Sequence, residues 1–429
     1  MINPVPTSCA NTSVQSPELK AFYENKPLMW RNLTWLIILN MGWSLCFTVI
    51  NPLMQLRMNS PEIGLGEGTI GLINSINSYA VSFLVMYFSW KSDHTISRWG
   101  RRIPYLWISG PAIIVTVVLF PFAYLQWVVI GLVIVQLFFT DIKASTISLL
   151  PIDLVPKSLL ARTMSLQGIA LGIMAFLALR YGMQLSDWSE KAPYLISAVI
   201  LTITTFGAGM RIKEPPIQNP ATTSFKPWSA LAVGCRDRRI IVLMIGTAMF
   251  GSTFVMYNQW IWLFAKNDLN LTRTEMGASL AWANILAIAL AYPAAHLIDR
   301  FSPYKLILLC HGLQWVLFIT LLQTQSALGL IVISFLFVLA AALSITPAMM
   351  VYKSAPPEDV GSVTSSLAFI NNFFNATLIF ISGFLIEHFS YNAGYTLGIA
   401  MSALGCLALL LYRYLAKATP SADQIPHAK

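Results

Sequence analysis

Charged residues fall inside otherwise apolar stretches of this 429-residue chain, Asp141, Lys143 and Arg180 among them. A charge at membrane depth is costly and marks a buried partner, a proton path or a solute contact. Asp141 and Lys143 are two residues apart, which sets them about 200° apart around a helix, so they cannot pair with each other. One can face a central cavity while the other faces a neighbouring helix. A buried carboxylate is suited to taking up and releasing a proton, and Asp141 is the first candidate for coupling. Lys143 is the second; reaching toward the interface is its alternative role. Arg180 ends its stretch and reads as an interfacial anchor.

Amides and aromatic rings gather in the same stretches. Asn40 and Trp43 share a helix face by spacing, as do Asn74 and Asn77. Tyr257, Asn258 and Gln259 are consecutive, Trp282 and Asn284 lie close together, and Asn371 and Asn375 are four apart. Amides hydrogen-bond the rim of a hydroxyl-rich neutral solute, and indoles pack against its C–H face. Asparagine can also simply join helices. As a set these residues are candidates to line a substrate cavity.

The elements that must hold them are set by composition. Hydrophobic residues make up 56% and charged residues 10%, against roughly 25% charged in a soluble domain. Such a chain dissolves in lipid, which excludes a nucleic-acid binder, a cytosolic enzyme and a disulfide-stapled secreted domain. The five cysteines show no paired spacing and read as packing residues. Twelve stretches are long enough to span: 33–53, 68–90, 105–124, 127–150, 164–182, 192–210, 240–262, 276–296, 306–323, 327–350, 363–386 and 394–415. The polar first 30 residues hold no apolar core of a leader, so none is expected.

An even count puts both termini on one side. Of 27 Lys and Arg, 21 fall in loops on that side and four (Arg57, Lys191, Lys266, Arg273) on the other, with Lys143 and Arg180 inside stretches. The positive-inside rule makes the terminal side cytoplasmic. The proline-bearing segment 211–239 divides the stretches six and six and reads as a linker. Leu149 to Ser165 resembles the run from Met349 to Ser365 at an offset of 200, and Asp93 matches Asp299 at an offset of 206, which together suggest duplicated halves. The expected organisation is a segment 1–32, a six-helix bundle 33–210, the linker 211–239, a second bundle 240–415 and a tail 416–429.

The loop after the second stretch reads Lys91-Ser92-Asp93-His94-Thr95-Ile96-Ser97-Arg98-Trp99-Gly100-Arg101-Arg102-Ile103-Pro104. A carboxylate at a helix end can accept backbone N–H bonds, and arginines at the membrane surface can bind carboxylates in one conformation and release them in another. This loop resembles the loop 2–3 signature of the major facilitator superfamily. More closely it resembles the S-D-x-x-x-S-R-x-G-R-R-x-P form of sucrose transporters, their relatives and melibiose-type sugar:cation symporters. The segment Arg211-Ile212-Lys213-Glu214-Pro215-Pro216 resembles the charged segment at that place in these families.

The resemblance implies an all-α membrane protein of twelve transmembrane helices in two pseudo-symmetric six-helix bundles. It implies a gate in which Asp93 latches against the eleventh span, with Arg98, Arg101 and Arg102 as partners and Gly100 forming the turn. Asp299 and Arg300 form a thinner copy in the second half. The chain departs from the pattern at Ser89, His94 and Ser148, the last standing where sucrose transporters carry an arginine. The expected activity is secondary transport of a small polar solute, a sugar or glycoside first, driven by a proton or cation gradient with no cofactor or metal. Other metabolites (an organic acid, an amino-acid derivative, a siderophore or a drug) and a non-transporting sensor on the same fold are the alternatives. No P-loop occurs, and no HExxH or GxSxG marks an enzyme. A monomer in the plasma (inner) membrane is expected, with a small-molecule substrate, lipid around it and no nucleic acid.

Overall fold

The computed structural model describes residues 17–215, 235–300, 303–343 and 360–418, together with 228, 231–232 and 351. In lipid every backbone N–H and C=O must be satisfied within the chain, and helices do so locally. The described residues accordingly form helices and no strand. The first half holds α1 (Pro17–Glu24), α2 (Lys26–Met58), α3 (Glu67–Asp93), α4 (Ile103–Leu119), α5 (Gln126–Leu154), α6 (Lys157–Leu177), α7 (Met183–Trp188) and α8 (Ala192–Arg211). The second holds α9 (Arg238–Asn267), α10 (Arg273–Arg300), α11 (Pro303–Gln323), α12 (Ala327–Leu343), α13 (Val360–His388) and α14 (Tyr391–Ala418).

Among the described residues, ten helices are long and apolar enough to cross a membrane, counting α6 and α7 as one. The other two of the twelve expected positions are taken by α10 and by α12, whose apolar run Ala327–Ala340 is shorter. Several helices outrun the stretches read from hydropathy: α2 has 33 residues, α5 29 and α9 30. Hydropathy marks only the lipid-facing part, whereas the hydrogen-bond ladder continues until a cap or a turn stops it. Asn25 starts α2 by accepting from Leu28 N at 3.2 Å, and Asp237 starts α9 by accepting from Arg239 N at 2.8 Å. A π-helical turn, Ala178–Gly182, joins α6 to α7, so the fifth span continues to Trp188, past the expected end at 182. Such a turn holds one extra residue and rotates the helix beyond it.

The helices sort into two groups. α2, α3, α4, α5, α6 and α8 pack among themselves, and α9 to α14 do likewise. The linker between them falls mostly outside the described residues. The groups meet along α3 against α13, the most extensive helix pair among the described residues, and where α10 crosses α6, the π turn and α7. Small residues allow the first contact: a Cβ at Gly383 would stand 2.9 Å from Glu67 O and 3.0 Å from the Trp260 ring. Trp260 of α9 is fully buried beside this crossing and donates from Nε1 to Ser382 Oγ at 2.7 Å. Large apolar side chains stand exposed around the outside, as lipid requires; Trp127 and Trp188, at 83% and 86% exposure, mark one interface.

Gly383→Val places a branched side chain against backbone. Overpacking of this kind costs about 1–3 kcal/mol, and a lower apparent melting temperature in detergent is expected. Unchanged melting would show that α3 and α13 are not held by close approach at this point.

Candidate functional site

The end of the molecule where α2 begins and α14 finishes is the terminal side; the other is the far side. On the terminal side, α4 has no side-chain cap of its own. Its first amides turn to Glu214 instead: the N–H groups of Arg101, Arg102 and Ile103 donate to that carboxylate at 2.8, 2.9 and 2.8 Å. Glu214 is held there because Asn32 of α2 clamps the neighbouring peptide, donating to Lys213 O at 2.8 Å and accepting from Lys213 N at 3.1 Å. Burial pushes the Glu214 carboxyl up from its ordinary range, and the three amides pull the other way. Gly100 adopts φ +113°, and a Cβ there would stand 2.6 Å from the Glu214 carboxyl carbon. A side chain is excluded on both counts.

Arg101 and Arg102 both bond to Asp153 at the end of α5. Arg102 also donates to Ser92 Oγ of α3 at 3.0 Å. The cluster therefore ties the ends of α2, α3, α4, α5 and α8 within one group. Arg98 stands apart, with its guanidinium 4.4 Å from the Trp99 ring centroid. The side chains of Asp93, Asp299 and Arg300 lie outside the described residues, so the latch toward the eleventh span has no described geometry. Asp153 and Glu214 were present in the sequence as a repeat landmark and a charged segment, and nothing in their spacing marked them as partners of the arginines.

At mid-depth, Asp141 and Lys143 point to different neighbours. Asp141 Oδ2 accepts from Asn77 Nδ2 of α3 at 3.1 Å. Lys143 is 1% exposed, donates to Thr205 Oγ1 of α8 at 2.6 Å, and lies 4.8 Å from the Trp43 ring centroid. Among the described residues neither joins an ion pair. Ser148 is exposed and bonds back to Ser145 O at 2.8 Å. Arg180 lies over the neighbouring Tyr181 ring.

A cavity of about 400 Å³ opens between α2, α9, α10 and α12, with Leu179 of the π turn closing one wall. Of the expected cavity residues, Tyr257, Asn258, Gln259 and Asn284 line it. Thr48, Asn51, Gln55, Ser334 and Phe337 line it as well and were not singled out in the sequence. No charged side chain is among the described residues of its wall. The Tyr257 ring stacks on Phe337 with centroids 4.4 Å apart. Asn40 and Asn74 spend their amides on their own helices, at Leu36 O and Ile70 O, and Asn77 serves Asp141. Trp43 packs on Phe47, and Trp282 stands 58% exposed beside Phe176. Asn371 and Asn375 sit apart from this cavity, with buried carbonyl oxygens that have no partner among the described residues.

Just beyond the cavity the far side is tied across the two groups. Glu387 of α13 accepts from Gly68 N of α3 at 2.8 Å. Asn267 of α9 donates to Asn59 Oδ1 at 3.0 Å and to Glu67 Oε1 at 3.1 Å, and Tyr391 OH donates to Glu67 Oε1 at 2.9 Å. Arg273 of α10 bonds to Glu190 in the α7–α8 loop, and Arg57 lies 3.6 Å from the same carboxylate. Asn59 stands four residues after Gln55 and Asn267 five after Trp262, each about one helical turn beyond the wall. The seal is thus the roof of the cavity.

Two groups of membrane-crossing helices with a neutral cavity between them and one closed end define a membrane transport protein, not an enzyme. Residues 36–373 and 243–428 match the Major Facilitator Superfamily, and the chain belongs to that superfamily. The solved structure of the nucleoside transporter NupG is similar, with TM-score 0.71 and 12% identity over 91% of this chain and 99% of that one. So is the POT family transporter PepTSo, with TM-score 0.66 and 12% identity over 91% and 98%. A bacterial homologue of the human lysosomal transporter Spinster, solved inward-facing and unoccupied, gives TM-score 0.65 and 12% identity over 91% and 98%. At these identities the likeness is one of fold. No curated protein matches the chain in sequence.

Asp153→Asn removes the charge that two guanidiniums share in a buried setting. Breaking one partner of a buried pair costs about 3–5 kcal/mol, so a large fall in melting temperature is expected; a fall no greater than that of an exposed acid-to-amide change would dismiss the cluster as a fastener. On the far side, the hydrogen bond from Arg273 holds the Glu190 carboxyl below its ordinary range. An acid depressed in this way supports the closed form above its free pKa and loses that effect as pH falls through the depressed one. Spin-label distances between the α7–α8 and α9–α10 loops are expected to broaden in acid, and Arg273→Met to flatten that response. The same distances at both pH values would remove Glu190 from the seal.

Proposed function

We propose that this transporter moves a neutral, hydroxyl-rich solute, a sugar or glycoside, by alternating access coupled to a proton or cation gradient. The observation that carries the reading is the cavity wall: amides, hydroxyls and aromatic faces set among aliphatic side chains, with no charge among the described residues. Such a wall recognises hydroxyls by hydrogen bonds and C–H faces by packing, and it offers nothing to balance an ionised solute. The volume falls within the range of small-molecule sites. The loop motif's likeness to sugar symporters supports the same class. A nucleoside is the second reading, favoured by the flat Tyr257–Phe337 stack at the wall, which suits a planar base.

Asp141 is the coupling group of this reading. Asn77 donates to it now, and the same amide turned over would accept from the carboxylic acid. Both protonation states therefore find a partner at one place. Lys143 is the second coupling candidate and lies against the Trp43 ring. In this reading the protein is a monomer in the plasma (inner) membrane, the basic loops support a cytoplasmic terminal side, and the sealed far side then corresponds to an inward-facing form. Access then alternates by the seal opening while the terminal side closes, the two halves 33–210 and 240–415 moving about the α3–α13 contact.

Uptake into proteoliposomes under an imposed pH gradient, across labelled sugars, nucleosides, organic acids and amino acids, tests the class and the coupling together. Accumulation of a sugar is expected. Asp141→Asn is expected to abolish uphill accumulation while leaving exchange across the membrane. Normal accumulation by that variant would overturn the coupling role, and flux of an organic acid alone would overturn the substrate class.

A further inference from the structure

The far-side seal has two parts, and they stand on different supports. One part joins Glu67 and Gly68 of α3 to Asn267, Tyr391 and Glu387. α3 and α13 are unbroken helices, so this part moves only with its groups. The other part joins α7 and the loop after it to the first turn of α10. Arg273 donates to Ser186 O at 3.1 Å and pairs with Glu190. Asp187 accepts from Thr274 N at 3.1 Å, which sets a carboxylate at the start of α10. Ser186, Asp187 and Glu190 all lie beyond the π turn Ala178–Gly182.

Helices of both groups bear on the turn itself. A Cβ at Gly277 of α10 would stand 2.4 Å from Leu179 O and 2.6 Å from Met183 Cβ, and a Cβ at Gly182 would stand 2.5 Å from a Val49 methyl of α2. Leu179, inside the turn, is also part of the cavity wall. A π turn carries one residue more than the α-helix it interrupts, and such turns are uncommon and gather at functional sites. When the turn relaxes to α geometry the surplus residue is passed on, and the segment beyond it rotates by about 100°. At a helix radius of about 5–6 Å this carries a side chain of α7 about 8 Å, further than a hydrogen bond reaches. The residues turned outward suit the change: Met183 is apolar, and Ser186 spends its hydroxyl on Met183 O of its own helix at 2.6 Å.

We propose that the π turn is a hinge and α7 a lid. The far side opens at this corner by a change of helical register in the fifth span alone, ahead of the parting of the two groups. α6 keeps its place while Asp187 and Glu190 swing away from α10, and the ties of α3 stay made. The hinge serves any solute, so it goes beyond the reading given above.

The test is double electron–electron resonance on the full-length chain in nanodiscs. One pair of spin labels, at Ser189 and Asp268, spans the lid; a second, at Pro61 and Asn392, spans the α3 side, and all four positions are exposed. Asp187→Ala is expected to raise a population about 8 Å longer in the lid pair by about two- to tenfold, the effect of losing one or two hydrogen bonds, with the second pair unchanged. Deletion of Tyr181, an exposed residue of the turn, removes the surplus residue and leaves α7 facing as it does now. The deleted chain is expected to lose the longer population and to melt at or above the wild-type temperature. A longer population that survives the deletion, pairs that lengthen together in Asp187→Ala, or no change in either pair would overturn the hinge. Should the deleted chain not fold, Asp187→Ala decides by itself.

Discussion

Lipid supplies no hydrogen-bond partner, and most of this structure is a consequence of that. Every peptide group in a span must be paired inside the chain, so the spans are helices, and helices can come together closely only where side chains are small. Gly383 against the backbone of α3 is the clearest case. The same constraint governs charge. Asp141 and Lys143 cannot face lipid, so each is turned to an interior neighbour, and Arg101 and Arg102 converge on Asp153. A water-soluble fold could leave such groups solvated; here their pairing fixes how α3, α4, α5 and α8 stand against one another.

The two ends of the molecule use similar chemistry for different ends. On the terminal side, the pairs of Arg101 and Arg102 with Asp153 and the Glu214 cap lie within the first group of helices, which makes that group a rigid body, and the Arg239–Asp237 pair lies within the second. On the far side, Glu67, Glu190 and Glu387 each bond to the other group. Rigid halves and separable contacts between them are what alternating access requires. The cavity sits where the separable contacts begin, so its contents and the seal are mechanically adjacent.

The sequence was most legible where a signal is local. Composition and hydropathy announce a membrane protein, and the loop from Lys91 to Pro104 announces the superfamily, because both are properties of consecutive residues. The paired isolation of Asp141 and Lys143 is set by helical period alone. The remainder is tertiary. Glu214 meets Gly100 across more than a hundred residues, and the far-side ties join single residues from separate loops, with no periodicity to reveal them. Amide residues were read by type, yet Asn40, Asn74 and Asn284 spend their hydrogen bonds on a carbonyl four residues back, while Gln55 and Gln259 do not. That distinction depends on rotamer and neighbour, which no one-dimensional pattern carries. The π turn at Ala178–Gly182 likewise leaves no mark in hydropathy, since an extra apolar residue looks like any other.

The far-side seal is made of hydrogen bonds and ion pairs most of whose members reach the surface, with Tyr391 and Arg57 buried behind them. When such a contact parts, water takes the place of each partner, so a single bond changes the balance by only about 0.5–1.5 kcal/mol. A handful of them amounts to a few kcal/mol, comparable to the difference in affinity that a modest ligand can supply between two forms. A greasy closure of the same extent would wet unfavourably on opening and would hold one form almost exclusively. Polarity at the roof therefore keeps both forms within thermal reach, and the frequency of cycling is set by how readily solvent invades a few side-chain contacts.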